Sequence, residues 1–492
     1  MNISAHLGRL ASERAALVEP SGRQVTFQQL EDRTAALAGG LHVLGLTPGE
    51  RMLLLVPMSI ELYEALIGLF RAGLPVVLLD PSAPTVAENL GRVGLSGFVG
   101  SAKAHLLRLK LKELRGLKRY LSTGFTPLPH RRLARVAGPA LEPVDVGADD
   151  PALLTFTTGS TGRPKTVARS HAFLEAQRSI LTEHMGLGPD DIDLPTLPVF
   201  LLNSLAAGAT CILPDADLRQ VASVDPDRVI RQMLTHGCTS TSGSPAFYAP
   251  IADRLLQQKA TLPDLNKLFT GGARVPAELL HKLVQVAPNA RIEVVYGSTE
   301  AEPIASIGAR EVLDDTAAGE REGRGSCVGR PLDAIDLRIC SPGTLDVAGH
   351  IGEICVSGAH VNQGYYQDAD ADAENKLREG DTVWHRTGDS GYLDDRGRIW
   401  LVGRVKDMVG ALHPFMVEPV AEAQSHVLRA ALVEVEGRAV LACEVLEPPE
   451  HWAQELAERT GADEVIRVSS IPLDPRHNAK VDRKALRAVL KS

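Results

Sequence analysis

Short apolar runs alternate along this chain with stretches of helical periodicity. Residues 52–56 and 75–79 are two such runs, and each is bordered by Gly, Pro or Asp. Buried strands that alternate with helices predict an α/β fold whose sheets are largely parallel. Ligands of such folds bind at the carboxyl ends of the strands, so we expect the chemistry in the loops that follow the apolar runs.

The pattern changes near Arg404, and this change predicts a second domain. Residues 384–389 and the polar sequence at 394–398 predict a strand followed by a tight turn. Beyond Arg404, two short strand patterns accompany a helical pattern that starts near residue 449. We therefore expect a large α/β body of residues 1–403 and a small, mobile α+β cap of residues 404–492.

Charge and cysteine content limit the partners and the compartment. The chain has 52 Lys and Arg against 61 Asp and Glu, a formal net charge of −9. This balance argues against a nucleic-acid-binding protein, which usually has a basic face. The six cysteines form no CxxC pair, which predicts free thiols and a cytoplasmic location.

The first 16 residues lack the apolar run of a signal peptide, and the uncharged stretch 195–214 is interpreted as buried core rather than as a membrane span.

A basic segment at residues 104–119 has leucines at helical spacing and predicts a helix. Its cations include Lys110, Lys112, Arg115, Lys118 and Arg119. Two interpretations stay open at this point. The segment is either a solvated helix face or a docking surface for an acidic partner or a membrane.

A hydroxyl- and glycine-rich loop follows the apolar run 152–154. Glycines allow backbone N–H groups to approach phosphate oxygens, hydroxyls donate to the same oxygens, and a lysine adds positive charge. The spacing is not that of a Walker A motif. The candidate phosphate-binding residues are Thr157, Thr158, Gly159, Ser160, Thr161, Gly162 and Lys165.

Three further motifs carry candidate chemistry. The apolar pair 294–295 leads to Tyr296, whose ring can stack on a purine, and then to Thr299 and Glu300, which offer hard oxygen ligands suited to Mg²⁺. Asp389 follows a glycine and can accept hydrogen bonds from ribose hydroxyls. Lys480 lies in a charged cluster near the C-terminus, where a mobile cap can bring it to a phosphate or carboxylate.

In this order and at this approximate spacing, the motifs resemble the adenylate-forming superfamily, which comprises acyl-CoA synthetases, peptide-synthetase adenylation domains and luciferases. The resemblance extends from residues 25–30 to Lys480. It implies an ATP- and Mg²⁺-dependent enzyme that converts a carboxylic acid to an acyl-adenylate. It further implies the phosphate loop named above, an adenine-flanking segment at Gly271, Gly272 and Ala273, stacking by Tyr296, an α-phosphate contact at Thr299 and a magnesium ligand at Glu300. Ribose contacts at Asp389 and Arg404, a hinge at Lys406 and a catalytic lysine at Lys480 complete the implied site.

Three departures from the common pattern concern the second half-reaction. Leu201 stands where CoA ligases commonly have a histidine beside the pantetheine path, residues 408–414 lack the usual thiol-tunnel sequence, and residues 474–480 replace the usual Asn-Gly-Lys ending. Together with short windows at 101–106, 213–215, 242–245, 273–276 and 476–480, they resemble the β-lactone synthetases of bacterial olefin biosynthesis (OleC-type). That likeness implies a long-chain 2-alkyl-3-hydroxy acid whose own hydroxyl attacks the adenylate. An acyl- or aryl-CoA ligase, a carboxylate–amine ligase and a non-enzymatic module that only senses a nucleotide are the alternatives. His171 and His413 are candidate bases.

Overall fold

The computed structural model describes residues 2–8, 10–158, 164–473 and 480–491. Its first part supplies a seven-stranded sheet and the edge of a larger one. The capping box of the second helix shows how local sequence sets these elements, because Thr26 accepts a hydrogen bond from the Gln29 backbone while the Gln29 side chain accepts one from Thr26. The elements are α1 (Ala5–Gly8), β1 (Ala15–Val18), β2 (Gln24–Thr26), α2 (Phe27–Val43), β3 (Met52–Leu55), α3 (Ile60–Arg71), β4 (Val76–Val77), α4 (Val86–Val93), β5 (Gly97–Gly100), α5 (Leu107–Lys110), β6 (Arg119–Ser122), β7 (Arg131–Arg132), β8 (Pro151–Thr158) and β9 (Pro164–Ser170).

The middle of the chain alternates strands and helices and builds the larger sheet. Its elements are α6 (His171–Met185), β10 (Ile192–Pro195), α7 (Pro198–Ala206), β11 (Thr210–Ile212), α8 (Pro226–His236), β12 (Ser240–Gly243), α9 (Pro245–Gln258), β13 (Lys267–Gly271), α10 (Ala277–Val286), β14 (Arg291–Ser298), β15 (Ala301–Gly308), α11 (Ala309–Glu311) and α12 (Ala317–Arg321). A further set of strands extends this sheet: β16 (Ser326–Pro331), β17 (Asp336–Cys340), β18 (Gly352–Ser357), α13 (Ala369–Asn375), β19 (Lys376–Glu379), β20 (Thr382–Leu393) and β21 (Ile399–Arg404).

The last part of the chain forms its own small sheet. It contains α14 (Pro414–Glu422), β22 (Val427–Val435), β23 (Arg438–Val445), α15 (Trp452–Thr460), β24 (Glu464–Val468) and α16 (Arg483–Leu490). The three strands pair only with one another, β22 antiparallel and β24 parallel to β23. Apolar side chains of this sheet pack against α14 and α15, which gives the C-terminal part a core of its own.

Two sheets organise the rest. The smaller has the order β7-β6-β5-β3-β4-β8-β9 and is parallel up to β8. The larger runs from β17 to β2, and its strands β10 to β14 are parallel neighbours. The predicted α/β class with parallel-rich sheets and a separate smaller C-terminal part is therefore confirmed.

The basic segment differs from its prediction. Instead of one helix over 104–119, α5 has four residues and is flanked by single 3₁₀ turns at Ala104–Leu106 and Lys112–Leu114. Leu111 takes an extended backbone, and Gly116 has a φ of +72°. The leucines at helical spacing, Leu107, Leu111 and Leu114, still pack in one apolar cluster, with Leu114 completely buried, whereas Leu106 and Leu109 are exposed. The apolar spacing therefore indicated the buried face correctly, but the prediction of one continuous helix was wrong.

The thiols and the uncharged stretch follow their predictions. All six cysteines are buried and free. Residues 195–214 contain the nine-residue α7 between two short strands. Within the described ranges, every helix is too short or too polar to cross a bilayer.

Candidate active site

A cleft of about 2080 Å³ opens where the carboxyl ends of β8 and β14 approach β20, β21 and the C-terminal part. Most of the described residues proposed from the sequence border it. They are Thr157, Lys165, Gly272, Ala273, Tyr296, Thr299, Glu300, Asp389, Arg404, Lys406 and Lys480. Thr158 ends β8, where its backbone pairs with Pro164. Gly159, Ser160, Thr161 and Gly162 lie outside the described residues, as do His477, Asn478 and Ala479.

The turn between β14 and β15 places Thr299 and Glu300 at the mouth of the cleft. These strands are antiparallel, and their register shifts between Tyr296 and Ser298. Two groups from other parts of the chain hold the turn. The Arg169 guanidinium, itself buried, donates to the Thr299 carbonyl at 2.8 Å, and the Asn362 backbone N–H donates to the Glu300 carbonyl at 2.7 Å.

The Glu300 carboxylate receives hydrogen bonds from two hydroxyls. Thr157 Oγ1 donates to Oε1 at 3.4 Å, which joins the two sheets, and the Tyr365 hydroxyl donates to the same oxygen at 3.0 Å. Burial is the largest cause that raises the pKa of Tyr365, and the nearby Glu300 charge adds to it, so this hydroxyl stays protonated. Sequence reasoning missed Tyr365, although the Gly-Tyr-Tyr triplet at 364–366 was available as a signal.

Two lysines flank the Tyr365 ring. Lys165 Nζ lies 5.6 Å from the ring centroid and Lys376 Nζ lies 5.3 Å from it, distances at which a cation is attracted to an aromatic face. Lys165 also forms an ion pair with Glu374 at 2.9 Å. Lys376 donates to the Asn362 carbonyl, and burial lowers its pKa to about 8. The two lysines place positive charge on either side of Tyr365, and the Glu374 carboxylate offsets part of the Lys165 charge.

Asp389 joins the stacking ring to the β20–β21 hairpin. The Tyr296 hydroxyl donates to Asp389 Oδ2 at 2.7 Å, and Arg404 Nε pairs with Oδ1 at 3.0 Å across the hairpin. The Asp389 charge is the largest cause that raises the pKa of Arg404, whereas burial is the largest cause that raises the pKa of Tyr296. A carboxylate has about four lone-pair positions, so two acceptor positions remain for a ligand.

Glycines let β13 approach β14 closely beside the cleft. A Cβ on Gly271 would lie 2.2 Å from the Val295 carbonyl oxygen, a distance that no side chain permits. Gly272 has a φ of +79°, in the left-handed region that favours glycine. Gly271 therefore sets the strand spacing, while Gly272 and Ala273 face the cleft.

The C-terminal part closes one side of the cleft. Lys480, Asp482 and Arg483 border it together with Glu418 of α14. A half-buried arginine of the body, Arg274, bridges the two parts, because it pairs with Glu320 at 2.7 Å and with Glu422 of α14 at 2.5 Å. Lys406 lies in the 3₁₀ turn Val405–Asp407 between the two parts.

Three residues singled out from the sequence do not border the cleft. Leu201 is completely buried in the core, His171 accepts a hydrogen bond from the Ile3 backbone, and His413 is buried before α14. Burial lowers the pKa of His171 to about 4. His385 was not singled out, yet it borders the cleft, and burial keeps its pKa well below the ordinary value so that its imidazole is neutral.

Comparisons with known proteins found similar sequences and a similar fold. The profile of the AMP-binding enzyme family matches residues 6–366. The chain is 32% identical to the olefin β-lactone synthetase of Xanthomonas campestris pv. campestris, over 99% of this chain and 96% of that protein. It is also 32% identical to the olefin β-lactone synthetase of Stenotrophomonas maltophilia, over 99% of this chain and 97% of that protein. Among solved structures, the amide bond synthetase McbA from Marinactinospora thermotolerans superposes with a TM-score of 0.83 at 22% identity, with 100% of both chains covered.

Proposed function

The chain belongs to the AMP-binding enzyme family, and from that premise we propose that it adenylates a long-chain 2-alkyl-3-hydroxy acid and closes it to a β-lactone. It is an adenylate-forming, AMP-forming ligase that uses ATP. The identity of the acid and the fate of the adenylate are the proposed parts. The observation that carries them is the likeness to two olefin β-lactone synthetases over nearly the whole length of each chain.

In the first half-reaction, a carboxylate oxygen of the acid attacks the α-phosphorus of ATP and pyrophosphate leaves. We assign adenine stacking to Tyr296, the ribose hydroxyls to Asp389 and the α-phosphate to Thr299. Negative charge develops on the phosphate in the transition state, and a cation already aimed at that position stabilises the charge without a costly reorganisation of water. That cation is Lys480, which borders the same cleft as Glu300 and Tyr296.

The donors around Glu300 fit a magnesium ion shared with the phosphates. The carboxylate has two hydroxyl neighbours, Thr157 and Tyr365, and all three offer oxygen. One carboxylate together with substrate phosphates and water is a common way for a protein to hold Mg²⁺. When bound, Mg²⁺ shields the charge of the phosphate oxygens.

In the second half-reaction, the 3-hydroxyl oxygen attacks the carbonyl carbon of the adenylate. The carbon–oxygen bond to AMP breaks, the hydroxyl proton is released and a four-membered lactone remains. The ring is strained, but the mixed anhydride is a strong acyl donor and the nucleophile belongs to the same molecule. No second substrate has to enter.

The segment 408–414 lacks the sequence with which CoA ligases of the family line the thiol tunnel. Val409 and Leu412 pair in a tight turn around Gly410, and Val409 is buried in the core of the C-terminal part. Leu201 supports nothing about a CoA path, because it faces the core. The argument against CoA therefore rests on the sequences of residues 408–414 and 474–480.

The product distinguishes the lactone from the alternatives. With a synthetic 2-alkyl-3-hydroxy fatty acid, ATP and Mg²⁺, mass spectrometry is expected to show AMP and a product lighter than the acid by one water, at a rate indifferent to CoA. The matched 2-alkyl acid without the 3-hydroxyl should support pyrophosphate exchange but give no lactone. A CoA-dependent acyl-CoA product would overturn lactone formation and leave adenylation intact, and an amide formed with added amine would do the same.

The proposal includes a division at Arg404, with residues 404–492 as a cap that moves about Lys406. Its separate sheet and core support a rigid unit. The Arg274 bridge to Glu422 favours the closed arrangement. Lys480 needs such a motion to reach the phosphate and then leave it.

Tyr365→Phe is expected to raise the Mg²⁺ concentration that gives half-maximal activity by about tenfold. The change removes one hydrogen bond to a charged group, worth roughly 1.5 kcal/mol, and keeps the ring between the two lysines. Titration of pyrophosphate release with Mg²⁺ measures the effect. Tyr366→Phe is the matched control, because that ring packs in a different apolar cluster. If both variants and the wild type had the same Mg²⁺ dependence, Tyr365 would have no role in the magnesium site.

A further inference from the structure

Positive charge is concentrated in one surface of this acidic protein. Residues 103–135, here called the basic surface, contain ten Lys and Arg but a single acidic residue, Glu113, so they carry +9. The whole chain carries −9, and the remainder therefore carries −18. A segment of opposite sign to the rest of its chain attracts anionic partners that the rest repels.

The fold gathers this segment at one sheet edge. β7 is the edge strand of the seven-stranded sheet, and both of its residues, Arg131 and Arg132, are exposed. The Arg108 guanidinium lies 3.5 Å from the centroid of the Tyr120 ring and donates to the Pro129 carbonyl at 2.8 Å. These contacts join the turns around α5 to the loop before β7.

Large apolar side chains are exposed within the same surface. Leu106 is 48% exposed, Leu109 60% and Phe125 76%. Phe125 lies beside the basic residues, because its ring contacts His130, which precedes Arg131. Leu114, a few residues further along the chain, is completely buried. The exposed side chains of Leu106, Leu109 and Phe125 therefore form a separate apolar set that the core of the protein does not cover.

Most of these cations keep their charge available. Arg115 donates to the carbonyls of Arg108 and Leu109, and Arg119 donates to the carbonyl of Leu44, contacts that leave the charge uncompensated. Two cations of the surface have an acidic neighbour: Lys118 pairs with Glu50, and the charge of Lys103 helps to lower the pKa of Asp217.

We propose that the basic surface docks the enzyme on an anionic lipid bilayer. Cations attract the headgroups, while exposed leucine and phenylalanine side chains enter the boundary of the acyl region. An acidic protein would satisfy the cations but give no reason for three large apolar side chains among them. The proposal rests on the proposed function in one respect: a two-chain acid partitions into membranes, so docking brings the enzyme to its substrate.

Vesicle co-sedimentation tests the docking without requiring catalysis. The full chain is expected to bind phosphatidylcholine vesicles that contain phosphatidylglycerol and to lose this binding at high salt. It is not expected to bind vesicles of pure phosphatidylcholine. A triple variant, Lys110→Gln, Arg131→Gln and Arg132→Gln, should bind about a hundredfold more weakly, at about fivefold for each cation. Phe125→Ser should also weaken binding at unchanged charge.

Matched variants separate the surface from general effects. Arg231→Gln, Lys259→Gln and Arg378→Gln together remove the same charge from exposed positions elsewhere, and Val347→Ser removes a side chain that is 77% exposed. Both should bind as the wild type does, and every variant should turn over a short-chain, water-soluble 3-hydroxy acid normally. The proposal would be overturned if the wild type did not bind anionic vesicles, bound pure phosphatidylcholine vesicles equally well, or bound only polyglutamate. It would also be overturned if the control triple variant lost as much vesicle binding as the triple variant of the basic surface. If the protein bound anionic vesicles but formed no lactone, only the proposed function would be contradicted.

Discussion

Lys480→Ala is expected to slow pyrophosphate release by about 10²–10³-fold while ATP binding stays nearly unchanged, because a cation aimed at developing charge acts mainly in the transition state. Lys480 borders the same cleft as Thr299 and Glu300. The cleft of the Lys480→Ala variant retains other positive charge for ATP binding, since Lys165 borders it and Lys376 lies with Lys165 beside Tyr365. Pyrophosphate release and calorimetric titration with ATP measure the two quantities separately.

A second lysine provides the control for this prediction. Lys484 also borders the cleft but is exposed on α16, and no role is assigned to it. Lys484→Ala should release pyrophosphate within about threefold of the wild-type rate. If Lys480→Ala also stays within threefold, the assignment of the catalytic lysine fails, and with it the reason for a mobile cap.

Asp389→Ala is expected to weaken ATP affinity by about 10- to 100-fold. The carboxylate is the proposed acceptor for two ribose hydroxyls, and hydrogen bonds to a charged group are worth roughly 1.5–3 kcal/mol. Its present partners, Tyr296 and Arg404, leave about two acceptor positions for the ribose. Calorimetric titration with ATP gives the affinity directly.

Two further variants separate ribose binding from support of the hairpin. Tyr296→Phe removes the hydroxyl that donates to Asp389 but keeps the stacking ring, so its ATP affinity should change little. Arg404→Gln removes the ion pair across β20 and β21. If Asp389→Ala and Tyr296→Phe lose affinity equally, the carboxylate serves the ring rather than the ribose.

The sequence by itself determined the features that depend on neighbours along the chain. Apolar runs predicted the parallel strands, and the neighbouring residues Thr26 and Gln29 form the capping box that begins α2. The polar sequence at 394–398 predicted the tight turn between β20 and β21, whose register then places Asp389 opposite Arg404. Such features follow from local periodicity and turn chemistry, which a single sequence records.

Contacts between distant segments were decided only by the tertiary structure. Residues 361–366 pair with both sheets, through Val361 at Ala301 and Tyr365 at Val167, and so bring Tyr365 to Glu300. Packing also turns Leu201 into the core, breaks the basic segment into short turns and buries His385 beside the cleft. Apolar spacing tells which side chains leave water, but the partner that each one meets depends on how many elements pack together, and that is a property of the whole fold.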